Sequence, residues 1–251
     1  MTIAIIGGSG LSQLPELVVK EKIIIDTPWG KQSAPIMVGV LMTKEQQDKA
    51  DIIFLPRHGI SHSIPPHKIN YRANIWALKK IGVKKIISIN AVGGITKLMK
   101  PNSIVVPDQI IDYTYGRDNT FYENEQEVLE HIDFTMPYSD SLRKKLIETA
   151  KLFGLKIHKK GVYGVTQGPR LETTAEILRL EKDGCNIVGM TGMPEASLAR
   201  EISIDYASYC LVANWAAGKG PSVITMDVIE KNLEKGLKNI KKLIFRIINS
   251  N

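Results

Sequence analysis

Only two cysteines, Cys185 and Cys210, occur in the 251 residues. That number cannot build a disulfide framework and points to a reducing compartment, so a cytoplasmic protein is expected. No run of about 18 uncharged apolar residues is present, which argues against a membrane-spanning helix. The opening MTIAIIGGSG has no basic stretch ahead of its apolar residues and no small-residue cleavage site, so no secretory signal is read. Internal repeats, low-complexity tracts and Gly/Ser linkers are also missing. One domain spanning residues 1–251 is therefore expected.

What remains is ordinary globular material, 43% hydrophobic and 24% charged. Lys and Arg number 33 against 26 Asp and Glu, a formal charge of +7. The excess gathers at Lys79, Lys80, Lys84 and Lys85, at Lys156, Lys159 and Lys160, and at Lys231, Lys235, Lys238, Lys241 and Lys242. These lysines alternate with Ile and Leu, as on solvated helix faces. Neither an aromatic-interleaved basic tract nor zinc-finger spacing accompanies them, so no nucleic-acid partner is expected. A small anionic substrate is favoured by the same charge.

Apolar runs predict strands at Ile3–Ile6, Ile23–Ile25, Ile36–Val40, Ile52–Leu55, Ile86–Ile89, Ile104–Val106, Gly161–Val165, Ile187–Met190 and Tyr206–Ala213. Several are unbroken Ile/Val runs, the pattern of strands covered on both faces. Helical spacing predicts helices at Ala73–Ile81, Ser141–Phe153, Thr174–Lys182, Glu195–Glu201 and Asp227–Ile248. Pro194 suits a first helical turn, and Thr173 with Glu176 has the form of a capping box. The alternation predicts an α/β fold with a central mixed, partly parallel twisted sheet flanked by helices. Asp112 to Pro137 is long, polar and aperiodic, a length at which loops are more often functional than idle.

The chemistry gathers at strand ends. The first strand runs into Gly7-Gly8-Ser9-Gly10, where backbone N–H groups and the Ser9 hydroxyl can approach a phosphate. A dinucleotide fingerprint would need a third glycine at position 13, which is Gln13, and Pro15 interrupts any following helix. Arg57 and His58 follow another strand, a planar fork beside an imidazole. His58, His62 and His67 share no helical face and have no interleaved acidic or cysteine ligand, so no metal is expected. Ile89 to Gly94, Thr166 to Thr173, Gly189 to Glu195 and Ala213 to Lys219 add further polar or glycine-rich strand ends. So many together point to one shared cleft.

The segments IIGGSGL, RHG, NYRANIWAL, NAVGG, QGPRLETTAEI, GMTGMPEASLAR and ANWAAGK resemble, in order and across nearly the whole chain, the trimeric purine nucleoside phosphorylase and methylthioadenosine phosphorylase family. Within it they are most similar to the bacterial methylthioinosine branch. The resemblance implies the nucleoside phosphorylase fold, a homotrimer, inorganic phosphate as co-substrate, and neither metal nor organic cofactor. It carries phosphate contacts onto Ser9, Arg57, His58, Asn90, Ala91 and Thr191. Met190 falls where the family packs a methionine against the ribose. Asn214 and His58 take catalytic positions, and Glu172, Asn214, Trp215 and Ala216 take positions around the base.

Relatives acting on 6-aminopurines carry Asp where this chain has Asn214 and Ala216. Those acting on 6-oxopurines carry Asn at the first of these positions and a Glu where Glu172 stands. The chemistry agrees, because ionised Glu172 only accepts and suits the N1–H of a 6-oxopurine, while the Asn214 amide can donate to the O6/N7 edge. Val223, Ile224 and Met226 form an apolar segment suited to a methylthio group, with Met226 as a specificity residue, since a buried hydroxyl without a partner is penalised. His131 matches a histidine sent from a neighbouring subunit. The expected activity is phosphorolysis of a 6-oxopurine nucleoside, with S-methyl-5′-thioinosine favoured. A general inosine/guanosine phosphorylase and a non-catalytic nucleotide-binding protein are the alternatives.

Overall fold

The computed structural model describes residues 3–8, 17–43, 46–122, 130–221 and 224–249. Its strands are β1 (Ile3–Gly7), β2 (Leu17–Ile23), β3 (Ile36–Thr43), β4 (Gln46–Pro56), β5 (Lys85–Gly94), β6 (Ile104–Val105), β7 (Gln109–Asp112), β8 (Ile157–His158), β9 (Val162–Val165), β10 (Ile187–Gly189) and β11 (Asp205–Trp215). The α-helices are α1 (Tyr71–Lys80), α2 (Asp140–Leu152), α3 (Thr174–Lys182), α4 (Glu195–Glu201) and α5 (Met226–Asn249). The strands form one mixed 11-stranded sheet, ordered β2-β3-β4-β1-β5-β10-β9-β7, with β11 also on β5 and with β6 linking β11 to β8. None of the described helices is long and apolar enough to cross a membrane.

The unbroken Ile/Val runs are explained by burial on both sheet faces. On one face Ile3 and Ile5 pack with Ile52, Phe54, Ile87 and Ile89 under Leu142 and Leu146 of α2 and Leu237, Ile240 and Ile244 of α5. On the other, Ala4 and Ile6 pack with Ile53, Leu55 and Ile86 under Ile75 and Leu78 of α1 and Ala196 and Leu198 of α4. The predicted capping box is present: Glu176 N–H donates to Thr173 Oγ1 at 3.1 Å, and Thr173 N–H to the Glu176 carboxylate at 2.7 Å. α3 and α4 have the predicted bounds.

One strand expectation needs correction, and two short strands were not expected. The strand expected at Ile23–Ile25 is instead β2, Leu17–Ile23. It lies at the sheet edge with Lys20, Glu21 and Lys22 along it, so its signal is charge rather than an apolar run. β7 is a four-residue strand at the other end and β8 has only two residues, too short for periodicity to register.

The sheet forks at β5. β1 pairs with Lys85–Ser88 in parallel, while β10 approaches antiparallel only at Gly93 and Gly94. Between these contacts one side of β5 opens, and ligands of α/β sheets bind at such places. Arg57, just after β4, fills the opening. Its Nη1 donates to the Ile89 carbonyl at 2.9 Å, the first β5 position past the β1 pairing. Its Nε and Nη2 grip the two Glu195 oxygens at 2.9 and 2.8 Å, and Nη2 also donates to Ser88 Oγ. Ser88 and Tyr206 hydroxyls donate to Glu195 in turn, each at 2.8 Å.

The pair is sealed, with Arg57 0% and Glu195 1% exposed. Burial alone would push the guanidinium pKa down, yet the Glu195 carboxylate outweighs it and holds the group above its ordinary value. Such a pair is tolerated because every charged edge is hydrogen-bonded, and removing one partner strands the other. Glu195→Gln should therefore lower unfolding free energy by about 3–5 kcal/mol, read as a reduced urea midpoint. An unchanged midpoint would show that the pair does not hold the fork.

Candidate active site

The fork opens into a cleft of about 710 Å³, walled by strand ends from β4, β5, β10 and β11 and by one side of α5. Gly8 closes its floor. A Cβ there would lie 2.7 Å from Arg57 Nη1 and 2.8 Å from the Ile89 carbonyl oxygen, so only glycine fits. Ser9 lies outside the described residues.

At this end stand Arg57, His58, Ala91 and Thr191. Four of Arg57's hydrogen bonds go to Ile89, Ser88 and Glu195, so its positive charge is largely answered from within the protein. His58 is 6% exposed, and its Nδ1 lies 2.8 Å from the Ile64 carbonyl oxygen. Burial, the Arg57 charge and His62 push its pKa down to about 4 against the opposing pull of Ile64. It is neutral at pH 7. Asn90 does not line the cleft. Its amide donates to Ser88 and Ser208, and its Oδ1 accepts from the Thr191 hydroxyl at 2.9 Å. Asn90 thus orients Thr191 from behind.

The opposite end is set by a β-bulge in β11. Val212 and Asn214 face consecutive β5 residues, Val92 and Gly93, leaving Ala213 as the extra residue. A bulge reverses the in/out alternation and so re-aims the side chain that follows. Asn232 of α5 donates to the Ala213 carbonyl at 2.7 Å and stabilises the bulge. Asn214 lines the cleft, and its Nδ2 donates to the Trp215 carbonyl at 2.7 Å. An amide nitrogen carries two protons, so that bond uses one of them. Glu172 lines the same cleft and accepts from the Thr166 hydroxyl at 2.6 Å, which fixes the carboxylate. Ala216 lies against Gly93, whereas Trp215 is not among the lining residues.

Between the two ends lies Met190, whose sulfur sits so close to Gly168 that a Cβ there would be 2.5 Å away. Ile224, Met226, Ile229, Leu233 and Leu237 supply an apolar wall, with Glu230 and Glu234 beside it. Val223 lies outside the described residues, and Met226 is 64% exposed. His131 is exposed and does not line the cleft of its own chain.

Sequence reasoning missed three residues that shape the site. Glu195 read only as the first residue of an expected helix and the last of a glycine-rich strand-end segment. Asn232 had the pattern of an ordinary polar helix position. Arg117, within the aperiodic stretch after β7, donates to the carbonyls of Thr166, Gln167, Met190 and Met193. It ties together the loops that present Glu172 and Thr191. The length and polarity of its loop were the only local signal.

Comparison with known proteins places this geometry in a family. The Phosphorylase superfamily model matches residues 2–249. A protein of Pseudomonas syringae pv. tomato named probable S-methyl-5′-thioinosine phosphorylase is 48% identical over 98% of both chains. A 6-oxopurine nucleoside phosphorylase of Pyrococcus furiosus is 45% identical, over 98% of this chain and 91% of its own. Among solved structures, methylthioadenosine phosphorylase from Schistosoma mansoni in complex with adenine superposes with a TM-score of 0.90 at 30% identity, covering 99% of this chain and 91% of that one. The chain belongs to the Phosphorylase superfamily.

Proposed function

We propose that this enzyme cleaves 6-oxopurine nucleosides with inorganic phosphate, with S-methyl-5′-thioinosine as the favoured substrate, giving hypoxanthine and 5-methylthioribose 1-phosphate. The observation that carries the reading is one cleft with Glu172 and Asn214 at one end and Arg57, His58 and Thr191 at the other. Residues 1–251 act as a single nucleoside phosphorylase domain in the cytoplasm, with phosphate as co-substrate and without metal or organic cofactor.

Phosphate occupies the His58 end, held by Ala91, Thr191 and Ser9 beside Arg57. The C1′–N9 bond breaks as the sugar gains oxocarbenium character, and a phosphate oxygen then bonds to C1′. The electron pair leaves with the purine, and the proton lost by monohydrogen phosphate ends on the base. Asn214 donates to the O6/N7 edge as negative charge develops there, and Glu172 accepts from N1–H. Positioning of sugar and phosphate, with Met190 against the ribose, supplies much of the acceleration.

The apolar wall of α5 supports the methylthio preference. The 45% identical 6-oxopurine nucleoside phosphorylase, together with Glu230 and Glu234 beside that wall, supports the second reading, a general inosine/guanosine phosphorylase whose 5′-hydroxyl these carboxylates accept. His131, exposed and outside its own cleft, supports a homotrimer in which it completes a neighbouring site.

Hypoxanthine release from S-methyl-5′-thioinosine should require phosphate and survive chelators. Release at full rate without phosphate would make the enzyme a hydrolase and overturn the reading. Asn214→Asp should lower kcat/KM for 6-oxopurine nucleosides by about tenfold to a hundredfold, since an ionised carboxylate cannot donate to O6 or N7. An unaffected rate would remove Asn214 from the base site. Dilution or an interface variant that yields monomers should abolish most activity, and a fully active monomer would refute the shared site.

A further inference from the structure

We propose that Asn232 and Asn102, neither of which lines the cleft, are positioning residues that set the purine preference by fixing the aim of Asn214. The inference rests on the 6-oxopurine reading and places part of that specificity outside the cleft, on α5 and on the turn before β6.

Ala213, the extra residue of the bulge in β11, is 1% exposed. The extra residue of a bulge leaves the ladder, and a carbonyl buried there needs a donor from elsewhere. Asn232 supplies one from Nδ2 at 2.7 Å. A carbonyl only accepts, so the Asn232 nitrogen must face Ala213 and its Oδ1 must face away. That oxygen accepts from Asn102 Nδ2 at 3.0 Å. Each bond in this chain has one possible direction, because turning either amide over brings two oxygens or two nitrogens together.

Both ends of the chain are anchored. Asn102 N–H donates to the Val212 carbonyl at 2.8 Å, and Val212 N–H donates to the Ser103 carbonyl at 2.9 Å, immediately before the bulge. Asn102 holds a left-handed φ of 70°, a conformation asparagine adopts more readily than most residues. On α5, a Cβ on Gly236 would collide with the Leu211 side chain. Glycine there brings the helix backbone close to β11, so the short Asn232 side chain, about one turn earlier, reaches the strand.

Asn214 comes directly after the carbonyl so held. With one amide proton committed to the Trp215 carbonyl at 2.7 Å, it has a single proton for the O6/N7 edge. A fixed bulge gives that proton one direction. With the Ala213 carbonyl unanchored, Asn214 is free to turn its oxygen toward a 6-amino group, and small misplacements of a catalytic group are costly.

The test compares S-methyl-5′-thioinosine with S-methyl-5′-thioadenosine in the unaltered enzyme and in Asn232→Leu, Asn102→Gly and Asn214→Ala. Leucine keeps the bulk of Asn232 without its donor, and glycine keeps the left-handed backbone at the exposed Asn102 without its amide. Asn232→Leu should lower kcat for methylthioinosine by about tenfold and shrink the kcat/KM ratio of the two substrates by a similar factor. Asn102→Gly should move both in the same direction by less. The phosphate KM should hold in either variant. Beside Asn214→Ala, Asn232→Leu should change the ratio no further, because no amide is left to aim. A loss of folded enzyme alone scales both substrates equally, so an unchanged ratio in either folded variant would overturn the proposal. An Asn232→Leu effect that persists in full beside Asn214→Ala would overturn it too. An unaltered ratio in Asn214→Ala itself would instead overturn the base-site reading.

Discussion

The sealed ion pair between Arg57 and Glu195 is the interaction on which the rest of the structure depends. The central strand loses one neighbour before it gains the next, and a sheet interrupted in this way leaves a carbonyl group and a void. Arg57 answers both with one planar fork, taking the Ile89 carbonyl on one side and the Glu195 carboxylate on the other. Glu195 opens α4, so the same contact fixes that helix against the fork. Gly8 must then be a glycine, because the guanidinium occupies the space a side chain would need.

This arrangement decides the electrostatics of the cleft. An arginine at the anion end would suggest a strongly positive site, but its charge is matched by Glu195 and the adjacent His58 is neutral. An anion approaching this end therefore meets little net local charge. The excess of basic residues over the whole chain still favours its approach. At the other end the same economy appears in neutral and acidic groups. Thr166 orients Glu172, and the bulge stabilised by Asn232 turns Asn214 toward the cleft.

Much of this was legible in the sequence, for physical reasons that differ by element. β1, β4, β5 and β11 are buried on both faces and advertise it with unbroken apolar runs. α3 is bounded by its own capping box, a local signal complete within a few residues. β2 escaped because an edge strand needs charge rather than bulk on its open side. In the site, Arg57 and His58 were visible as residues delivered by a strand end, but not the partner that fixes the arginine, which lies 138 positions away. Asn90 read as a direct ligand, yet its amide is engaged by Ser88, Ser208 and Thr191 behind the cleft wall. Asn232 gave no signal and Arg117 only the length of its loop, since what they hold is backbone from distant segments. Local windows register burial and caps, whereas a role made of long-range hydrogen bonds exists only once the chain has folded.

The central claim is that Glu172 and Asn214 make this a 6-oxopurine site. The most direct measurement is the ratio of kcat/KM for S-methyl-5′-thioinosine to that for S-methyl-5′-thioadenosine, at saturating phosphate and neutral pH. The two substrates share sugar and sulfur and differ at the purine edge these residues face. An accepting Glu172 and a donating Asn214 predict a ratio well above one, on the order of a hundredfold or more. A ratio at or below one would contradict the assignment of both residues.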